Sequence, residues 1–153
     1  MITAVSPYLD TIKSIKSGIF IEAERIIKEN EREILNYLRY DQLFDKGIDG
    51  TGKKMKPYVE STKRLKRKTG LPSDRRTHFQ TGKHYQNFYT EVRKKTLEIL
   101  SNTRAKNGFD LGEYLNLNNG GRVYELTKEN NDKINDEIIF PKLIEWVYNQ
   151  LIS

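Results

Sequence analysis

QLFDKGIDGTGKKMKPYVESTKRLKRKTGLPSDRRTHFQTGKHYQNFYTEV, residues 42–92, is the stretch on which the reading of this chain turns. It joins a glycine-rich turn, a basic segment, a Thr-Gly pair and an aromatic run. From Gly52 to Lys83, eleven Lys and Arg residues stand against two acids, Glu60 and Asp74, a local net charge of +9. The whole chain carries +6, so everything outside that window sums to −3. A charge layout this uneven suits a polyanion, or copies stacked positive face to negative face.

Gly47, Gly50 and Gly52, with Asp49 among them, are turn chemistry, because Gly and Asp tolerate positive φ. Pro57 and Tyr58 lead into a basic helix, Glu60 to Lys68, which Gly70 and Pro72 end. Residues 87–92 alternate and are rich in aromatics, which predicts a strand. Residues 97–100 are its partner across Arg93-Lys94-Lys95, giving a hairpin.

Outward from the centre, Ser6-Pro7 opens a helix, with Ser as cap and Pro at the first helical position. Gly18 is expected to end or bend it. Ile19, Ala23, Ile26, Ile27, Ile34, Leu35 and Leu38 then predict a long amphipathic helix from about residue 19 to 40. Gln42-Leu43-Phe44 reads as a short apolar step or strand. Residues 109–117 read as a helical turn or a strand. Asn118-Asn119-Gly120-Gly121 is a turn, followed by a short strand over 123–126. Thr127 caps a helix through Ile134, Ile138 and Ile139. Pro141 breaks or restarts it, and Leu143, Ile144, Val147 and Leu151 give an apolar face to the end. The predicted fold class is α+β: a long N-terminal helix and C-terminal helices packed on a small, mainly antiparallel sheet, in one domain of residues 1–153 with a flexible basic arm over about 46–83.

Composition narrows the function. At 153 residues the chain can bury a real core, and its mean hydropathy of −0.76 still leaves enough Ile, Leu, Phe and Tyr for one. There are no cysteines, which excludes disulfides, thiolate metal sites and cysteine nucleophiles. No apolar run approaches the ~18 residues of a membrane span. The first residues lack the apolar core of a signal peptide, so the chain is expected in the cytoplasm or in something assembled there.

Gly47 to Lys53 has the outline of a phosphate-binding loop, but Lys54 stands where a Ser or Thr must reach magnesium. Asp45 and Asp49 do not fit a calcium loop. His78 and His84 flank the Thr81-Gly82 turn with no carboxylate pair to complete a metal site and no nucleophile with an orienting acid. Glu22, Glu24, Glu29, Glu31 and Glu33 read as solubilising charge. No cofactor, metal or catalytic set is therefore assigned. The candidate surface is the basic segment: Lys53, Lys54, Lys56, Lys63, Arg64, Lys66, Arg67, Lys68, Arg75, Arg76 and Lys83. Such density can neutralise several phosphates in a salt-dependent, sequence-independent way. Tyr58, Phe79, Tyr85 and Tyr89 are candidates to stack on bases, or to build a core and an interface.

The order of these elements resembles the small virion-morphogenesis or tail-completion proteins of tailed bacteriophages. The matching positions are Gln42, Gly47, Asp49, Gly52, Tyr58, Thr62, Lys63, Thr81, Gly82, Phe88 and Val92, about fifty residues in all. Gly47, Gly52, Thr81 and Gly82 are the candidate structural motif, with Thr81-Gly82 a sharp turn that launches the strand. The resemblance implies a non-enzymatic virion protein at the head–tail connector, neck or tail-completion position. It would be located in the virion, and in the host cytoplasm during assembly. The implied partners are copies of itself in a ring, neighbouring portal, neck or tail proteins, and packaged DNA, with no membrane. The alternative is a nucleic-acid-binding accessory protein using residues 53–83.

Overall fold

The computed structural model describes residues 6–153, with side chains from residue 9 onward. The fold is α+β, with seven α-helices and one antiparallel hairpin among the described residues. The helices are α1 (Ser6–Glu29), α2 (Glu31–Asn36), α3 (Glu60–Lys68), α4 (Lys83–Gln86), α5 (Leu111–Leu117), α6 (Lys128–Ile134) and α7 (Phe140–Ile152). The strands are β1 (Phe88–Arg93) and β2 (Thr96–Ser101). Two π-helical segments, Tyr37–Lys46 and Asn135–Ile139, follow α2 and α6. Expected as one domain, the chain forms two compact units by contact density. One combines the N-terminal segment up to Asn30 with Asp132–Ser153, and the other is Glu31–Asn131.

In the first unit α1 packs on α7. Gly18 does not end α1, as the sequence suggested; the helix runs through it. A Cβ at Gly18 would lie 3.2 Å from Trp146 Cη2, so the missing side chain makes room for an indole. The real interruption is Asn30. Its backbone N–H and its side-chain amide both donate to the Ile26 carbonyl, at 3.1 and 2.7 Å. A side chain that competes for a helix carbonyl disfavours continuation. The single helix expected over residues 19–40 is therefore divided there. The Ser6 cap lies outside the described side chains.

The second unit holds the main apolar cluster: Leu35, Leu38, Leu43, Met55, Tyr85, Phe88, Ile99, Val123 and Tyr124. Helix α2 packs on β1, and α5 on β2. The hairpin has the expected partners, Phe88 opposite Ser101 through Arg93 opposite Thr96. Its two-residue turn is Lys94-Lys95, both left-handed at φ 49 and 61°. Hairpin turns of this hand match the strand twist but favour Asn-Gly, so two lysines there are strained.

Gln42-Leu43-Phe44 is not a strand. It lies in the π-helical segment, where Leu38, Gln42 and Leu43 are buried. Gly47 closes that segment at φ 62°, and a Cβ there would meet Arg75 Cβ at 2.9 Å. Helix α3 ends as read, at a left-handed Gly70. Leu71 N–H donates to Lys66 O at 2.9 Å and Gly70 N–H to Arg67 O at 3.2 Å, the paired bonds of a Schellman cap. Residues 123–126 form a turn, not the expected strand. Thr127 does cap α6, accepting from Asn130 N–H at 3.2 Å. Pro141 sits in the first turn of α7, directly after the π-helical segment in an unbroken helical run, so its missing N–H interrupts the helical bonding at that junction without ending the helix.

Candidate functional site

The basic segment divides into cations that build the fold and cations that face outward. Lys66 belongs to the first group. It is only 3% exposed, its Nζ donates to the Phe79 carbonyl, and it lies 5.0 Å from the Tyr58 ring centroid. The expectation that Lys66 joins the outward-facing set is corrected: helix periodicity turns it inward with Thr62, and the carbonyl and the ring compensate its charge.

Arg75 and Arg76 are bound to backbone. Arg75 Nε donates to Phe44 O at 2.8 Å, and its Nη1 pairs with Asp74 at 2.7 Å. Arg76 donates to Lys56 O at 2.7 Å and Pro57 O at 3.1 Å, and covers the other contact of the Tyr58 ring at 5.0 Å. Residues 46–83, expected as a flexible arm, are folded on themselves by the Arg76 bonds and joined to the rest of the second unit through Arg75 to Phe44 O and Gly50 N–H to Arg122 O at 2.9 Å.

Tyr58 is the knot of this arrangement. Its hydroxyl oxygen accepts from Thr77 N–H at 3.0 Å and His78 N–H at 3.1 Å. Burial raises the phenol, but the bonds from Thr77 and His78 and the Lys66 charge outweigh it, so the net shift is downward. Tyr85 donates to Thr77 O at 2.5 Å, and Thr77 Oγ1 accepts from Phe79 N–H at 3.1 Å. The Thr77 hydroxyl thus shapes the bend at residues 77–79, ahead of the Thr81-Gly82 turn. Gly82, at φ 83°, opens α4 rather than launching the strand directly. Phe79 and Tyr85 meet edge to face at 5.1 Å, and Tyr85 and Phe88 stack at 5.8 Å. These rings are spent on the core; Tyr89 is half-buried on β1.

The outward group is Lys53, Lys54, Lys56, Arg64, Arg67, Lys68 and Lys83, with Lys63 half-buried beside them. Arg67 pairs with Glu60 at 2.7 Å across exposed surface. On α3, Lys63, Arg64, Arg67 and Lys68 share one face by helical spacing, opposite buried Lys66. The glycine-rich loop offers no open row of amides. The Asp49 carboxylate already accepts from Thr51 N–H at 2.9 Å and Lys53 N–H at 3.3 Å. Gly50 sits against Glu125, where a Cβ would fall 2.8 Å from the Glu125 carbonyl oxygen.

His84 is buried and His78 half-buried. His84 Nδ1 is 2.7 Å from Thr103 Oγ1, and its Nε2 is 3.3 Å from the Tyr124 hydroxyl. Tyr124 gives its one proton to Gly112 O at 2.6 Å, which leaves it an acceptor and assigns the proton of His84 to Nε2. Ser101 stands 3.5 Å from the same Nδ1 and 2.9 Å from Thr103 Oγ1. Burial pushes His84 down to about 4. Burial, then the nearby His84, Arg76 and Lys66 charges, push His78 down to about 3. Both are neutral at pH 7, and the two nitrogens of His84 are spent on joining β2, α5 and the 123–126 turn. Among the described residues no group of three or more His, Asp or Glu side chains is placed to hold a metal, and no helix is long and apolar enough to cross a membrane.

Two features were hidden from sequence reasoning. Gln42 is fully buried and clasps the far end of its unit: Nε2 donates to Glu125 O at 2.7 Å, and Oε1 accepts from Thr127 N–H at 3.0 Å. The second is α7. None of its residues is buried, and Ile144, Tyr148 and Ile152 are 68, 60 and 65% exposed. The face read as Leu143, Ile144, Val147 and Leu151 is split, with Leu143 and Val147 half-buried and the rest outward. Compared with protein-family models, curated proteins and solved structures, the chain matches none.

Proposed function

We propose that this chain is a non-enzymatic structural protein of a tailed-bacteriophage particle. It works as a self-associating ring at the head–tail connector, neck or tail-completion position. The observation that carries the reading is the outward apolar stripe on α7, Phe140, Ile144, Tyr148 and Leu151, each about half exposed or more. Residues at this spacing lie on one helix face. A contiguous apolar face on a folded chain marks a contact surface. The motif positions support the reading in a second way. Gln42, Gly47, Tyr58, Gly82 and Phe88 all brace the second unit, which suits a protein whose work is holding shape.

Sedimentation velocity of the purified chain tests the assembly. The expected result is a species larger than the monomer, reduced to monomer by Ile144→Asp with Tyr148→Asp. A chain that stays monomeric at every concentration contradicts it.

A second reading has its own observation, the cation face of α3, where Arg64, Arg67 and Lys68 are exposed and Lys63 is half-buried. If Lys63, Arg64, Arg67 and Lys68 each neutralise one phosphate of duplex DNA, log K falls with log salt at a slope of about −3.6. Charge reversal of these four abolishes that slope. No binding at low salt removes this reading.

A further inference from the structure

The second unit carries an open cleft beside α2, the π-helical segment and the Thr81-Gly82 turn. Leu35, Tyr40, Phe79 and Tyr85 supply its apolar wall, and Arg32 and Arg39 its charge. Arg39 is the unusual member. Its Nε is buried without a hydrogen-bond partner, and burial holds the guanidinium below the ordinary arginine range. The acid on the same wall, Glu31, is engaged: its Oε1 accepts from Thr90 N–H at 2.5 Å and Thr90 Oγ1 at 2.7 Å.

A partly desolvated guanidinium is costly alone, and where Arg39 lines the cleft it can take a carboxylate, the buried Nε staying inside the wall. The aromatic wall beside it asks for apolar surface next to that carboxylate. The chain carries this combination on its other unit. Glu145 is exposed, and Ile144 and Tyr148 flank it on the α7 stripe. From Asp136 to Ser153 there are three acids and one lysine, a net −2. The cleft, with two arginines against Glu31, is net positive.

We propose that the Arg39 cleft receives helix α7 of a second copy of this chain, with Glu145 of one copy paired to Arg39 of the next. The inference rests on the self-assembly reading and says which surfaces meet. Cleft and helix are different patches, so the contact is head-to-tail, and its repetition closes a ring or grows a filament.

Charge exchange tests it on the full chain. Arg39→Glu and Glu145→Arg are measured singly and together by sedimentation velocity, with urea unfolding as the check that each variant folds. Each single change is expected to weaken association at least about tenfold, the equivalent of 1.4 kcal/mol, and the double variant to recover most of it. Glu145 is exposed on α7, so its variant keeps the test valid if Arg39→Glu misfolds. Association unchanged in Glu145→Arg, or in a folded Arg39→Glu, overturns the proposal and gives the cleft another occupant. So does loss in both singles without recovery in the double. In those cases disruption by Ile144→Asp with Tyr148→Asp still upholds self-assembly. A wild-type chain that is always monomeric overturns both.

Discussion

Gln42→Ala is the substitution that probes the fold most sharply. The side chain has no solvent exposure and makes two bonds to backbone about eighty residues away. Removing it leaves the Glu125 carbonyl and the Thr127 N–H without their partners. An unsatisfied buried group costs about 1–3 kcal/mol. Both groups are only partly buried, so the lower part of that range applies to each, and the lost packing adds to it. The expected loss is about 2–4 kcal/mol, a large share of the ~5–15 kcal/mol that holds a domain together. Urea unfolding at pH 7 should show a lower midpoint with an unchanged slope. Gln42→Glu sharpens the test. Its carboxylate can still accept from Thr127 N–H, but it places a second oxygen against the Glu125 carbonyl. Protonation restores a donor there, so the deficit of this variant should shrink as pH falls. A loss below about 1 kcal/mol for Gln42→Ala, or a deficit in Gln42→Glu that ignores pH, would refute the clasp.

Three further outcomes are expected. Replacing Lys94-Lys95 with Asn-Gly relieves two left-handed lysines and should raise stability by about 1–2 kcal/mol, read from the urea midpoint; no gain refutes the strain. The histidines make the fold acid-sensitive. Their folded values, about 3 for His78 and about 4 for His84, lie below the unfolded value of 6.5, so the unfolded chain binds more protons in between. Stability is then complete above pH 6.5 and falls by about 1.4 kcal/mol per pH unit per histidine below it, down to each folded value. A midpoint that stays flat from pH 7 to about 4, or a His84 ring that titrates near 6.5 by NMR, would contradict this. Gly112→Ala would push a Cβ to 2.8 Å from Ser101 Oγ and 3.0 Å from its carbonyl, and should cost about 1–3 kcal/mol in the same assay.

What the sequence disclosed was local. The alternation over residues 87–92 and 97–100 predicted the hairpin because strand period is a property of neighbours. Gly70 after a run of helix formers predicted the α3 terminus, and Thr127 the α6 cap, for the same reason. What it hid depends on distant partners. Gly18 looks like a breaker until Trp146 is seen against it. Gln42 looks like the start of an apolar step until Glu125 and Thr127 arrive to bond it. Lys66 is one of the five cations on α3, and only the Phe79 carbonyl and the Tyr58 ring distinguish it from Lys63 or Lys68. Most of the other cations of the candidate surface are exposed, as charged side chains without a fixed buried partner are by default. Leu143, Ile144, Val147 and Leu151 read as one apolar face, because apolar periodicity does not say which of those residues meet their own chain and which stay exposed.

The copy number of this chain in purified phage particles is the most direct test of the central claim. Quantitative mass spectrometry against labelled peptides, normalised to the major capsid protein, gives it. The structural-ring account predicts that the chain is present at a small, fixed, integral number per particle, as one ring requires. Clean particles that lack it, or a number that varies between preparations, would contradict the account.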